Sequence, residues 1–168
     1  LAENAEITTE GADYAAFCQA LHESCLWMSR AIAADGEGAT KLLECTVTGA
    51  ESDELARLIA KTVVGSDLFK AAMFGADANW GRVLCAIGYT PGDFSVQHVS
   101  LVLKSAAGQV LVCKESTHYP YSEAEAAKVL AEDEISVLID MGSGSGTGMA
   151  FGCDLTYDYV KINGDYRS

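Results

Sequence analysis

The sequence predicts an α+β fold. Helical and strand-like stretches are mixed along the 168 residues without a regular β-α-β period. Hydrophobic residues make up 49% of the chain. A chain of this size buries roughly 70% of its unfolded surface. We therefore expect an ordered globular protein with one domain or two small lobes.

The first predicted element is a long helix that ends near Ala34. Its apolar residues recur at intervals of three and four, which is typical of one apolar stripe on a helix. The stripe contains Tyr14, Phe17, Cys18, Leu21, Cys25, Met28 and Ile32. Gly36 can adopt the left-handed turn that ends a helix.

A strand and two more helices are predicted next. Residues 41–49 alternate between apolar and polar side chains, as in a half-buried strand. Ser52 precedes acidic residues and an apolar stripe, which predicts a helix start because a serine cap and early acids stabilise a helix N-terminus. Asn79 is the predicted cap of a third helix, which closes at Gly88.

The remaining pattern predicts strands and one short helix. Strands are expected near 99–104 and 110–114, joined by a turn. Ser122 and the glutamate three residues later form a capping box for a helix that ends near residue 130. Further strands are expected at 135–141 and, after a glycine-rich run, at about 149–162.

Neither glycine-containing segment fits a phosphate-binding motif. In GEGATK, Thr40 stands where a phosphate loop has glycine, and a strand follows instead of a helix. The run from Gly142 to Gly148 lacks G-x-G-x-x-G and also precedes a strand. We interpret that run as a flexible connection.

Charge and cysteine spacing argue against several functions. With 11 basic and 24 acidic residues the net charge is −13, which disfavours binding to nucleic acid or an anionic membrane surface. The sequence contains no run of 18 apolar residues, so it predicts no membrane-spanning helix. The six cysteines lack a C-x-x-C pair: Cys18, Cys25, Cys45, Cys85, Cys113 and Cys153. We expect reduced core thiols in a cytoplasmic protein and no metal site, although His22 lies beside two cysteines.

Four polar residues are candidates for function. Glu37 lies between two glycines at the predicted helix-to-strand corner, where a ligand could approach, yet loop carboxylates are more often solvated. Asn163 and Ser168 lie in a polar C-terminal segment that is equally compatible with simple exposure. Arg82, in the segment NWGR, could clamp a carboxylate or pair with a surface acid. Residue types alone leave these alternatives open.

Three ordered motifs carry more information. They are DGEGATK at 35–41, AKTVVGSDLFKAAMFGADANWGRVLCAIGY at 60–89 and CDLTYDYVKINGDYRS at 153–168. Together they resemble the ornithine acetyltransferase family, also called bifunctional glutamate N-acetyltransferase, of arginine biosynthesis. The resemblance implies a layered α/β domain of the N-terminal-nucleophile type with a smaller α+β lobe. Residues 1–40 and 143–168 would belong to the large domain and residues 41–142 to the lobe.

The resemblance also implies acetyl transfer from N-acetylornithine to glutamate through an acetyl-threonine intermediate. Family members cut themselves into an α chain and a β chain whose new N-terminal threonine is the nucleophile. This sequence resembles the C-terminal part of the β chain, and Thr8 and Thr9 do not match the cleavage motif. We therefore expect no catalytic residue in this chain. The implied partners are the α chain, in an α2β2 assembly, and the substrates N-acetylornithine, ornithine and glutamate.

Residue by residue, the resemblance assigns substrate binding to Glu37, Asn163 and Ser168. Glu37 would hold an ammonium group of ornithine. Ser168 replaces the family's threonine and Gly164 its alanine, so the hydroxyl is kept. No metal or bound cofactor is implied, although acetyl-CoA is a co-substrate of bifunctional members. The NWGR segment has no assigned role, and we interpret it as structural.

Two alternatives compete with this interpretation. A self-cleaving aminopeptidase or amidohydrolase with an N-terminal nucleophile would pass the acyl group to water instead of glutamate. A chain without its nucleophile could also be a non-catalytic substrate-binding fragment.

Overall fold

The computed structural model describes residues 9–166, which form six helices and six strands. In chain order these are α1 Ala12–Ala34, β1 Leu42–Ala50, α2 Asp53–Val64, α3 Asp67–Phe74, α4 Trp80–Gly88, β2 Ser100–Ser105, β3 Gly108–Lys114, β4 Thr117–His118, α5 Glu123–Leu130, β5 Glu134–Asp140, β6 Gly146–Cys153 and α6 Tyr157–Asp165. The mixture confirms the α+β class. Within residues 9–166, no helix has the length and apolar content needed to cross a lipid bilayer.

A single six-stranded sheet, in the order β4-β3-β2-β5-β1-β6, forms the centre. β1 and β5 run parallel, whereas every other neighbouring pair is antiparallel. Side chains of β1 that point to one face, such as Leu43 and Val47, are completely buried in one cluster with Ile59 of α2. α5 packs on β2 and β3. The alternation along β1 therefore predicts its buried face correctly.

β6 extends this sheet by pairing with β1 at its edge. The sequence assigns these two strands to different regions, β6 to 143–168 and β1 to 41–142. In this chain the two regions therefore contribute to one sheet. How a longer protein divides into domains stays a prediction.

Three elements differ from the sequence prediction. The sequence patterns do not predict α3 or β4, because eight and two residues are too few to show a clear period. The predicted strand at 149–162 is wrong beyond Cys153. There the side chain of Thr156 accepts a hydrogen bond from the backbone of Tyr159 and caps α6.

The glycine-rich run is not a flexible connection, since Gly146 and Gly148 are residues of β6. A Cβ atom on Gly148 would lie 2.8 Å from the Ala56 carbonyl carbon and 2.8 Å from the Arg57 Cα, both in the backbone of α2. Glycine therefore lets α2 approach the sheet closely. The backbone of α2 occupies the space that a side chain would need.

We expect Gly148→Ala to destabilise the chain by about 2 kcal/mol, because the added methyl group must push α2 away from the sheet. Urea denaturation of Gly148→Ala and of the unmodified chain measures the difference in the free energy of unfolding. Gly88→Ala is the matched control, because a Cβ there has nothing within 4 Å. Equal stability of the two variants would show that α2 moves without cost.

The cysteines only partly follow the prediction. All six are free thiols, and Cys45 and Cys113 are buried as expected, while Cys153 is half-buried. Burial raises the pKa of both buried thiols. The core-thiol prediction is wrong for the exposed residues, which are Cys18, Cys25 and Cys85.

Candidate functional site

The corner between α1 and β1 is fixed by a buried carboxylate. Asp154, directly after β6, is only 3% exposed. It accepts hydrogen bonds from the backbone nitrogen of Thr40 at 2.8 Å, the Thr40 hydroxyl at 2.5 Å and the backbone nitrogen of Lys41 at 2.9 Å. These three donors replace the water that a buried carboxylate loses. They hold the start of β1 against the end of β6.

The first turn of α6 packs on the same corner. The Thr156 hydroxyl donates to the carbonyl oxygen of Gly38 at 2.6 Å. Gly38 has a φ of +68°, and a Cβ there would lie 2.8 Å from the backbone nitrogen of Tyr159. Glycine is needed here for the left-handed backbone and for this close approach. The sequence suggested that this glycine makes room for a ligand, but it makes room for α6.

Glu37 and Asn163 meet at this corner although 126 residues separate them. The Asn163 side-chain nitrogen donates to Glu37 Oε2 at 2.7 Å and to the Tyr159 carbonyl oxygen at 3.0 Å. Both side chains are exposed. A carboxylate fixed by an amide and open to solvent can accept hydrogen bonds from an ammonium group. The arrangement suits a cationic ligand.

The other candidate residues are placed differently. Ser168 lies outside the described residues, as does Thr8. Arg82 donates through Nη1 to the carbonyl oxygen of Leu68 at 2.8 Å and so links α4 to α3. The Asn79 side chain caps α4 as predicted, by accepting from the backbone nitrogen of Arg82. These contacts agree with a structural role for NWGR.

His22 lies on α1, the helix that also carries Cys18 and Cys25. Across residues 9–166, no group of three or more His, Cys, Asp or Glu side chains is arranged to hold a metal ion.

Lys41 is a residue whose role the sequence did not indicate. Its Nζ donates to the carbonyl oxygens of Met73 at 2.9 Å and Leu130 at 2.5 Å, which lie at the ends of α3 and α5. A cation is favourable at a helix C-terminus, and here one lysine serves two helices. Burial lowers the pKa of Lys41, while the carboxylates of Asp154 and Asp133 act in the opposite direction. Lys41 ties β1 to the helix layer.

A family model, described as the ArgJ family, matches residues 1–168. This chain belongs to the ArgJ family. The result confirms the resemblance carried by the three sequence motifs. Curated ArgJ relatives and a solved ArgJ structure agree with it.

The relatives are longer than this chain. It is 47% identical over 168 residues to the arginine biosynthesis bifunctional protein ArgJ of Caldanaerobacter subterraneus subsp. tengcongensis, covering 100% of this chain and 42% of the relative. The protein of that name from Geobacillus stearothermophilus is also 47% identical over 168 residues, covering 100% of this chain and 40% of the relative. The ArgJ chain described here thus spans about two fifths of the length of these curated relatives.

The ArgJ crystal structure from Bacillus halodurans superimposes with a TM-score of 0.90 and 45% sequence identity. The match covers 98% of this chain and 76% of that chain. It confirms the predicted fold class.

Proposed function

We propose that this ArgJ chain supplies the substrate-binding part of an acetyltransferase that moves an acetyl group from N-acetylornithine to glutamate. Its relatives are named bifunctional proteins of arginine biosynthesis. Because the chain spans about two fifths of their length, the activity belongs to the longer protein. The observation that carries the proposal is the exposed contact of 2.7 Å between Asn163 and Glu37.

The proposed site recognises the ammonium end of ornithine. The Glu37 carboxylate accepts hydrogen bonds from the ammonium group, and the charge of both groups strengthens these bonds. Asn163 holds the carboxylate in position through its side-chain nitrogen. Ser168 contributes a hydroxyl that can donate to a substrate carboxylate or carbonyl group. Glu37 therefore supplies the charge, and Asn163 supplies the orientation.

The proposed chemistry has two steps and uses a threonine outside these 168 residues. The threonine hydroxyl gives its proton to the threonine's own α-amine and attacks the acetyl carbonyl of N-acetylornithine. The amide C–N bond breaks, and ornithine leaves with that proton on its nitrogen. The amine of glutamate then attacks the threonine ester, the ester C–O bond breaks, and the hydroxyl regains its proton from the attacking nitrogen.

The remaining features of the proposal concern the longer protein. The α chain arises from the same precursor by self-cleavage, and two αβ pairs form an α2β2 assembly. Acetyl-CoA serves as an alternative acetyl donor. The proposed reaction uses no metal and no bound cofactor. Residues 1–40 and 143–168 belong to the large domain, residues 41–142 to the smaller lobe, and the enzyme is cytoplasmic.

The function is tested with a chimaera in which these 168 residues replace the matching segment of the Geobacillus stearothermophilus relative. We expect the chimaera to transfer labelled acetyl from N-acetylornithine to glutamate, and the isolated chain to transfer none, because it lacks the nucleophile. Thin-layer separation of labelled products distinguishes N-acetylglutamate from acetate. Labelled acetate formed without glutamate would favour the hydrolase alternative. Turnover by the isolated chain would contradict the placement of the nucleophile.

A further inference from the structure

Helix α1 is the least buried long element in the described part of the chain. Its 23 residues include none that is buried. The side that contacts the sheet carries the half-buried residues Leu26, Arg30 and Ala33, and Arg30 Nη2 lies 2.5 Å from Glu134 Oε2. Every residue from 12 to 25 is exposed. The N-terminal half of α1 therefore makes little contact with the rest of this chain.

The apolar side of α1 faces away from the sheet. At roughly 100° per residue, Phe17, Leu21 and Met28 lie within about 40° of one another around the helix axis. Leu26 and Ala33 lie on the opposite side, roughly 140–160° away from Met28 on the same scale. Phe17 and Leu21 are each 51% exposed, and Met28 is 45% exposed. Sequence periodicity identified this stripe correctly, but the stripe is not part of the core.

An exposed apolar stripe of this length marks an interaction surface. Helical stability in proteins comes mostly from packing of an amphipathic face, and α1 packs only its less apolar side. Contiguous apolar patches on a protein surface are typical of contacts with another polypeptide. The stripe is therefore expected to be covered in the functional protein.

We propose that this face of α1, the α1 stripe, docks the part of the ArgJ protein that these 168 residues do not span. The α1 stripe consists of Tyr14, Phe17, Cys18, Leu21, Cys25, Met28 and Ile32. This docking proposal rests on the proposed function, because both require that the chain acts within a longer protein. This chain covers 42% of the Caldanaerobacter relative, so more than half of such a protein is available as the occupant.

A second copy of this chain is a poorer occupant. Each copy carries a net charge of −13, so two copies that meet along α1 repel each other.

The α1 stripe ends close to the candidate site along the chain. The stripe ends at Ile32, which is 74% exposed and lies five residues before Glu37. α1 ends at Ala34, and Glu37 follows in the loop that carries the contact with Asn163. A polypeptide packed along the stripe therefore ends five residues along the chain from the carboxylate that we propose binds ornithine.

The test uses the cysteines of the stripe as reporters. Cys18 and Cys25 lie on the α1 stripe, whereas exposed Cys85 lies on α4 and buried Cys45 on β1. Timed labelling with N-ethylmaleimide, located by peptide mass spectrometry, gives the reactivity of each thiol. In the isolated chain Cys18, Cys25 and Cys85 should all react. In the chimaera Cys18 and Cys25 should react at least about tenfold more slowly, since a covered thiol reacts only after local opening. Unchanged reactivity of both thiols in the chimaera would overturn the proposal.

A pair of variants gives a second measurement. The tagged 168-residue chain is co-expressed with the rest of the Geobacillus stearothermophilus relative, and the captured protein is identified. The unmodified chain and Gln19→Glu should capture the rest, because Gln19 is exposed and lies off the stripe, whereas Leu21→Glu should lose most of the capture. Circular dichroism should show both variants folded, since both side chains are exposed. Capture by none of the three chains, or equal capture by all three, would contradict docking on the stripe.

The outcomes separate this proposal from the proposed function. Acetyl transfer by a chimaera with reactive Cys18 and Cys25 would remove the docking proposal and leave the function intact. Protected thiols without acetyl transfer would support docking and count against the function. A dimer of the isolated chain with both thiols protected would make a second copy the occupant and overturn the proposal.

Discussion

Glu37→Gln in the chimaera is expected to lower kcat/KM for N-acetylornithine by about ten- to a hundredfold. Glutamine keeps the shape of the side chain and an oxygen that can accept the hydrogen bond from Asn163, but it removes the negative charge. A hydrogen bond to a charged group contributes roughly 1.5–3 kcal/mol, which corresponds to this loss of transition-state stabilisation. Steady-state kinetics with varied N-acetylornithine measure the effect.

The same substitution should hardly affect folding. Glu37 is exposed, and surface changes of this kind usually alter stability by less than about 0.5 kcal/mol. Glu51→Gln is the matched control, since it removes one exposed carboxylate in the turn after β1. If the kcat/KM of Glu37→Gln equalled that of the control, Glu37 would be a solvated loop residue without a role in binding. A large drop in melting temperature would instead make it a structural residue.

The sequence predicts well those features whose cause is local. Ser52, Asn79 and Ser122 are predicted helix caps, and each side chain accepts a hydrogen bond from the backbone nitrogen three residues later. The alternation along β1 and β5 likewise gives the buried faces, because successive strand side chains point to opposite sides. In these cases the interacting atoms are close in sequence, so residue types at fixed spacing suffice.

The features that the sequence missed depend on contacts between distant segments. The stripe on α1 is visible in the sequence, but its period does not show whether this chain or another polypeptide covers it. The prediction that Cys18 and Cys25 lie in the core is wrong for the same reason. The contact between Glu37 and Asn163 spans 126 residues, and only the family resemblance linked them. Asp154 was missed because its partners, Thr40 and Lys41, lie more than 110 residues away.

Asp154 gives the largest expected effect on stability. Asp154→Ala leaves three hydrogen-bond donors at the corner without their acceptor: the backbone nitrogens of Thr40 and Lys41, and the Thr40 hydroxyl. Each unsatisfied buried donor costs about 1–3 kcal/mol, and water can reach part of this site because the Thr40 side chain is exposed. We therefore expect a loss of about 3 kcal/mol in the free energy of unfolding, measured by urea denaturation of the isolated chain.

Two further variants separate the hydrogen bonds from the loss of a charge. Asp93→Ala removes an exposed loop carboxylate and should change stability by less than about 0.5 kcal/mol. Asp154→Asn keeps one acceptor oxygen but points an amide nitrogen at a donor, so its loss should be intermediate. If Asp154→Ala were as stable as Asp93→Ala, water would satisfy all three hydrogen-bond donors.

Because Asp154 joins the start of β1 to the segment that leads into α6, its loss should also separate Glu37 from Asn163. In the chimaera, Asp154→Ala should therefore weaken use of N-acetylornithine although Asp154 itself is buried.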